Sequence, residues 1–100
     1  MTNYNSAIPY IAGVYGEEKQ LIQIAEEAAE LAQAALKRHK ALTTDKMIVA
    51  TRETLAEEIA DVLIMCEQII YLEGFEDRVR EIIDSKIQRQ LDRIKGCDKE

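Results

Sequence analysis

One hundred residues with 47% hydrophobic and 32% charged side chains, one Pro and four Gly describe a single helical, globular domain and argue against a disordered or fibrous chain. A formal net charge of -6 speaks against sequence-independent nucleic-acid binding, which depends on Lys and Arg neutralising phosphates, so a polyanionic ligand would need bridging cations. No positive n-region with an apolar h-region opens the sequence, and no apolar run is long enough for a membrane span, so the expected setting is the cytoplasm, with neither nucleic acid nor membrane as a partner.

Residues 1–16 read as an N-terminal arm. It carries Tyr4, Tyr10 and Tyr15 with Ile8, Ile11 and Val14, broken by Pro9, Gly13 and Gly16. Ile8 is expected to be extended because the residue before proline is pushed out of the helical region. The arm is read as a cover over apolar helix surface, with substrate stacking by a tyrosine as the alternative.

A single all-α domain is expected over residues 17–96, with a short tail at 97–100. Its first predicted helix runs from about Glu17 to Lys40. Glu17 and Glu18 suit its positive end, and Lys37, Arg38 and Lys40 its negative end. At 100° per residue Ile24, Ala28, Leu31 and Ala35 form an apolar stripe. Gln23, Glu27, Glu30 and Lys37 form a polar stripe beside it, interrupted by Ala34. The alanines permit close approach by another helix.

Leu42-Thr43-Thr44-Asp45 is the expected turn, with Thr44 or Asp45 capping the second helix. Thr54 followed by Glu57 offers a second start through a capping box, which would leave residues 41–53 as a longer connection or a short extra helix. The second helix carries Leu55, Ile59, Val62, Leu63, Cys66, Ile69 and Ile70 and should stop at Gly74. Cys66 is read as a small core residue; with Cys97 it makes neither a metal-ligand pair nor a disulfide framework.

The third predicted helix, about Glu76 to Lys95, lines up Val79, Ile82, Ile83, Ile87, Leu91 and Ile94 on one side and ends before Gly96. Its polar side changes sign along its length. Glu76, Asp77, Glu81 and Asp84 come first, and Lys86, Arg89 and Arg93 follow at i, i+3 and i+7. The expected architecture is an antiparallel helical hairpin plus a third helix, assembling into a multi-helix bundle by oligomerisation, since a domain this small buries a low fraction of its surface.

Two acidic words stand inside the apolar helices, Ala25-Glu26-Glu27-Ala28-Ala29-Glu30-Leu31 and Ala56-Glu57-Glu58-Ile59-Ala60-Asp61-Val62. Like charges one turn apart repel by roughly 0.2–0.5 kcal/mol per pair, so something should offset them. Their midpoint falls at Thr43-Thr44. Each cluster centre is about 15 residues, or roughly 22 Å at 1.5 Å per residue, from that turn. A hairpin there sets Glu27 and Glu30 opposite Glu58 and Asp61, an all-oxygen cage that suits a hard cation such as Mg²⁺, with Mn²⁺ and Ca²⁺ chemically allowed. No His lies near the clusters, which disfavours zinc. Carboxylate-held cations beside a basic stripe are equipment for phosphoryl chemistry. Glu26 and Glu57 lie one position off the paired acids and are candidates to support a second metal or orient a water. A solvated acidic face is the competing reading of the same residues.

The sequence resembles the MazG-like all-α nucleoside triphosphate pyrophosphohydrolases. Their Glu-x-x-Glu and Glu-x-x-Asp pattern is met by Glu27-Ala28-Ala29-Glu30 and Glu58-Ile59-Ala60-Asp61, with Tyr15-Gly16, Gln20, Glu26 and Leu31 in the flanks. The resemblance implies Mg²⁺-dependent cleavage of a nucleoside triphosphate to the monophosphate and pyrophosphate by a homodimer or homotetramer. It makes Glu27, Glu30, Glu58 and Asp61 the metal ligands, Glu26 a catalytic auxiliary, and Lys86, Arg89 and Arg93 phosphate-binding groups. Val62, Leu63, Ile64 and Met65 replace the aromatic and histidine residues usual after the second motif in the phosphoribosyl-ATP branch, which points away from that branch. The rival expectation is a non-catalytic helical interaction module.

Overall fold

The computed structural model describes residues 6–98. Four helices follow one another with short turns: α1, Ala7–Tyr15; α2, Glu17–Thr44; α3, Ile48–Glu73; and α4, Glu76–Asp98. No strand occurs among the described residues. The expected all-α hairpin with a further helix is present, and the part of the arm before Ser6 lies outside the described residues.

The arm contains a helix where an extended Ile8-Pro9 step was expected. Pro9 is the third residue of α1, within the first turn, where backbone N–H groups have no intrahelical acceptor and a proline removes nothing. The helix ends at Gly16, whose φ of 84° is open to glycine and whose N–H donates to the Ala12 carbonyl at 2.8 Å. Chain direction changes there and α2 begins. Ile8 and Ala12 are buried as α1 packs across the far end of the hairpin against α3 and α2.

Helix α2 continues beyond the expected end at Lys40 to Thr44. Thr43 and Thr44 do not break it, because both hydroxyls donate back to the Lys40 carbonyl, at 2.9 and 2.8 Å. The turn is Asp45-Lys46-Met47, with Asp45 and Met47 in the left-handed region. Helix α3 then starts at Ile48 without a side-chain cap, so neither Thr44 nor Asp45 caps it and the Thr54 start is not used. Arg38 holds the turn by donating from Nη1 to the Ile48 carbonyl at 2.6 Å and to Thr51 Oγ1 at 3.4 Å.

The face that α2 turns to α3 is not the apolar stripe of the helical wheel. Gln20, Ala34 and Ala41 are buried and Glu27 half-buried, a stripe of period seven, flanked by half-buried Ile24, Leu31 and Arg38. Ala28 and Ala35 are exposed. The seam is thus rotated by about one residue, toward the carboxylates and carboxamides. On α3 the matching line is Thr51, Glu58, Met65 and Leu72, again seven apart, with Met65 buried. A period of seven keeps the same face toward its neighbour along two long packed helices. Small Ala34 and Ala41 allow close approach near the turn, and the longer side chains fill the opposite end.

Helix α3 stops at Gly74 as expected: φ is 69° and its N–H donates to the Ile70 carbonyl at 2.9 Å. Helix α4 does not end before Gly96 but runs through it to Asp98. It leaves the hairpin after little contact with α3. The radius of gyration, 17.1 Å, exceeds the ~13 Å of a compact domain of this length. Along α4 Ile83, Ile87, Leu91 and Ile94 stay about half exposed, and on α3 Ile59 and Leu63 do too. No described helix is long and apolar enough to cross a membrane.

Candidate metal centre

The carboxylates meet where the two period-seven seams face each other. Carboxylate oxygens of Glu27, Glu58 and Asp61 lie within 4.8 Å of one another. Glu30 completes the group from the next turn of α2 and sits close enough to Glu58 to raise its pKa. Each opposed pair, Glu27 with Asp61 and Glu30 with Glu58, is centred on Thr44, so the hairpin joins the acids in the register the sequence implied, although the turn itself lies slightly later.

Glu27 and Glu58 occupy seam positions where a bundle ordinarily places apolar side chains. Gln23 Nε2 donates to Glu27 Oε1 at 2.8 Å. Glu27 Oε2 and Glu58 Oε2 are buried and have no hydrogen-bond partner among the described residues. A buried carboxylate oxygen without a partner loses hydration and gains nothing in return. The Glu58 carboxyl is accordingly held above its usual range, first by loss of hydration and then by the negative charges of Glu30, Asp61 and Glu27.

Four carboxylates from two helices, with two oxygens unmatched by any donor among the described residues, form a hard, all-oxygen donor set. A divalent cation of the Mg²⁺ or Mn²⁺ type fits it, because such an ion offsets the mutual repulsion and partners the orphaned oxygens. Asp61 and Glu30 are exposed, leaving the outer side of the cluster open to solvent and ligand.

The remaining sequence candidates are placed differently. Glu26 is exposed, one residue ahead of Glu27 and therefore turned about 100° away on α2. Lys86, Arg89 and Arg93 are exposed on α4. Lys86 and Arg89 border a shallow depression of about 350 Å³ with Arg78, Glu81, Ile82 and Ser85, which shares no residue with the carboxylate cluster. The ion pairs among the described residues, Arg78–Glu81 at 3.3 Å and Arg80–Glu76 at 3.1 Å, are exposed and local to α4.

Two carboxamides escaped the sequence reading as site residues. Gln20 Nε2 donates to Gln68 Oε1 at 2.6 Å across the hairpin, and both residues are buried. The signal was available, because Gln20 precedes Glu27 by seven residues and Gln68 follows Asp61 by seven. Both fall on the carboxylate lines, and this pair too is centred on Thr44. No family model, curated protein or solved structure matches the chain.

Proposed function

We propose that this protein is a Mg²⁺-dependent nucleoside triphosphate pyrophosphohydrolase of the MazG-like kind, active as a homo-oligomer in the cytoplasm, cleaving an NTP or dNTP to the monophosphate and pyrophosphate. The observation that carries the proposal is the pair of buried, unpartnered oxygens of Glu27 and Glu58 inside the cluster of Glu27, Glu58 and Asp61, with Glu30 beside Glu58. A solvated acidic face would turn those oxygens to water.

In this reading Glu27, Glu30, Glu58 and Asp61 hold the metal. The chemistry that Mg²⁺, or Mn²⁺ in its place, would supply if held there is polarisation of phosphoryl oxygens, a lowered water pKa and neutralisation of developing charge. Gln23 fixes the Glu27 carboxylate by its hydrogen bond. Glu26, exposed on the neighbouring face of α2, would support the metal or orient the attacking water, whose proton passes to solvent. The water oxygen bonds to the α-phosphorus, the bond from that phosphorus to the α–β bridging oxygen breaks, and pyrophosphate leaves with the electron pair.

Lys86, Arg89 and Arg93 hold the outer phosphates in the assembled protein, and α4 supplies the means of assembly. From Ile83 to Ile94 its apolar stripe is exposed among the described residues, and its polar side runs from acidic to basic. Two α4 helices laid antiparallel cover both stripes and set the acidic half of each beside the basic half of the other. The interaction-module reading is absorbed here, since association explains the exposed stripe but not the orphaned carboxylates.

The test is a panel of ribo- and deoxynucleoside triphosphates with and without Mg²⁺, with pyrophosphate and orthophosphate measured separately. Pyrophosphate alone, lost in Glu30→Ala and Asp61→Ala, supports the proposal. Orthophosphate alone, or turnover unaffected by both substitutions, overturns it.

A further inference from the structure

We propose that the cavity built around Gln20 and Gln68 is a nucleoside site, in which the two carboxamides read the hydrogen-bonding edge of a planar base. The inference rests on the pyrophosphohydrolase reading for the direction in which a nucleotide lies.

The cavity, about 540 Å³, is lined by Ile11 and Tyr15 of α1, Lys19, Gln20, Ile22 and Gln23 of α2, and Met65 and Gln68 of α3. The lining joins apolar Ile11, Ile22 and Met65 and the Tyr15 ring to three carboxamides and the Lys19 ammonium, so it offers apolar surface to a flat ring and polar groups that orient its edge. Gln20 is 6% and Gln68 2% exposed, so these amides sit where leucine or methionine would fill the seam without desolvating a polar group.

Their mutual hydrogen bond leaves binding capacity over. Gln68 Nε2 meets, among the described residues, only Met65 Sδ at 3.7 Å, and a thioether is a weak acceptor. A carboxamide has two donor hydrogens and a carbonyl oxygen. It can therefore match a base edge bearing an adjacent donor and acceptor, as glutamine does with adenine. Gln68 is a buried donor at the floor of an open cavity, short of a good acceptor.

The cavity adjoins the carboxylate cluster through a shared residue. Gln23 lines the cavity and also donates to Glu27. Seven residues separate Gln20 from Glu27 on α2 and Asp61 from Gln68 on α3, a rise of about 10 Å on each arm. A base on the carboxamides thus directs its sugar and phosphates along the hairpin toward the carboxylates. Gln23 lies between, within reach of the sugar and coupled to the metal ligand.

The test uses the full-length protein and the uncharged nucleosides of the common bases, which carry no phosphate, in EDTA. Chemical shifts of the Gln20 and Gln68 side-chain amides report occupancy. The proposal expects saturable shifts of both amides with at least one nucleoside, weakened about tenfold or more in Ile22→Trp. Ile22 is 64% exposed, so that change narrows the cavity without entering the hairpin seam. Gln68→Leu should reduce the preference between the best and worst nucleoside by about tenfold. Should Gln68→Leu fail to fold, Ile22→Trp carries the test. Amides that no nucleoside shifts would make the pair a brace between helices and overturn the inference, whether or not triphosphates are hydrolysed. Nucleoside binding in a protein that hydrolyses no triphosphate would uphold it while removing the pyrophosphohydrolase reading.

Discussion

Adding Mg²⁺ to the metal-free protein should raise its melting temperature through Glu58 and its neighbours. Four carboxylates converge, two of their oxygens are buried without partners, and the Glu58 carboxyl is held above its usual range by burial and by Glu30, Asp61 and Glu27. A cation held only by the native state stabilises it by about 2.7 kcal/mol at one hundred times its dissociation constant. In a domain of this size each kcal/mol moves Tm by about 4–8 °C, so the shift should be ~10–20 °C. Glu58→Gln removes one charged ligand and should reduce the shift to less than about 5 °C. Glu57→Gln, at an exposed position outside the cluster, should leave it intact. The assay is differential scanning calorimetry at fixed protein concentration and matched ionic strength, because association and screening also move Tm. Equal shifts in the wild type and Glu58→Gln, or no shift at millimolar Mg²⁺, would refute the reasoning.

Three further outcomes follow from particular contacts. Because the Glu58 pKa is raised in the folded state, its ionisation opposes folding: stability is greatest below the unfolded value of 4.5 and is lost as pH rises through the folded one. In EDTA, Glu58→Gln should therefore melt higher than the wild type at pH 7 and level with it near pH 4; thermal melts across that range check the sign. Arg38→Ala removes the donor to the Ile48 carbonyl and should cost about 1.5 kcal/mol by urea unfolding, with the carboxylate cluster still able to bind Mn²⁺. Ile87→Glu, in the exposed stripe of α4, should lower the mass measured by light scattering toward that of one chain, and an unchanged mass would place the interface elsewhere.

Three of the four helices, the hairpin pair and α4, were legible in the sequence with approximate bounds, because apolar spacing, Gly74 and the terminal charges all act locally; α1 was not. So was the pairing of the acids, since mirrored positions about Thr44 need only an antiparallel hairpin to meet. Pro9 misled because its restriction on Ile8 is a preference that a helical first turn can override when Ala12 gains burial. Thr43 and Thr44 misled because their hydroxyls can bond back to Lys40 as readily as they cap a new helix. The rotation of the α2 seam was hidden for a deeper reason. A wheel ranks faces by hydrophobicity, and here Ala28 and Ala35 lie outside while Gln20 and Glu27 lie inside. Polar residues at seam positions are what a wheel assigns to solvent, so the carboxamide pair could be found only by following the acidic lines a further seven residues.

Hydrolysis in heavy-oxygen water tests the central claim most directly, because it shows which phosphorus the water attacks. With a good triphosphate substrate and Mg²⁺, the label should appear in the monophosphate and not in pyrophosphate, and product formation should be lost in Asp61→Ala. Label in free orthophosphate, or undiminished turnover by Asp61→Ala, would contradict the assignment of the carboxylate cluster as the catalytic metal centre; label in pyrophosphate would overturn attack at the α-phosphorus.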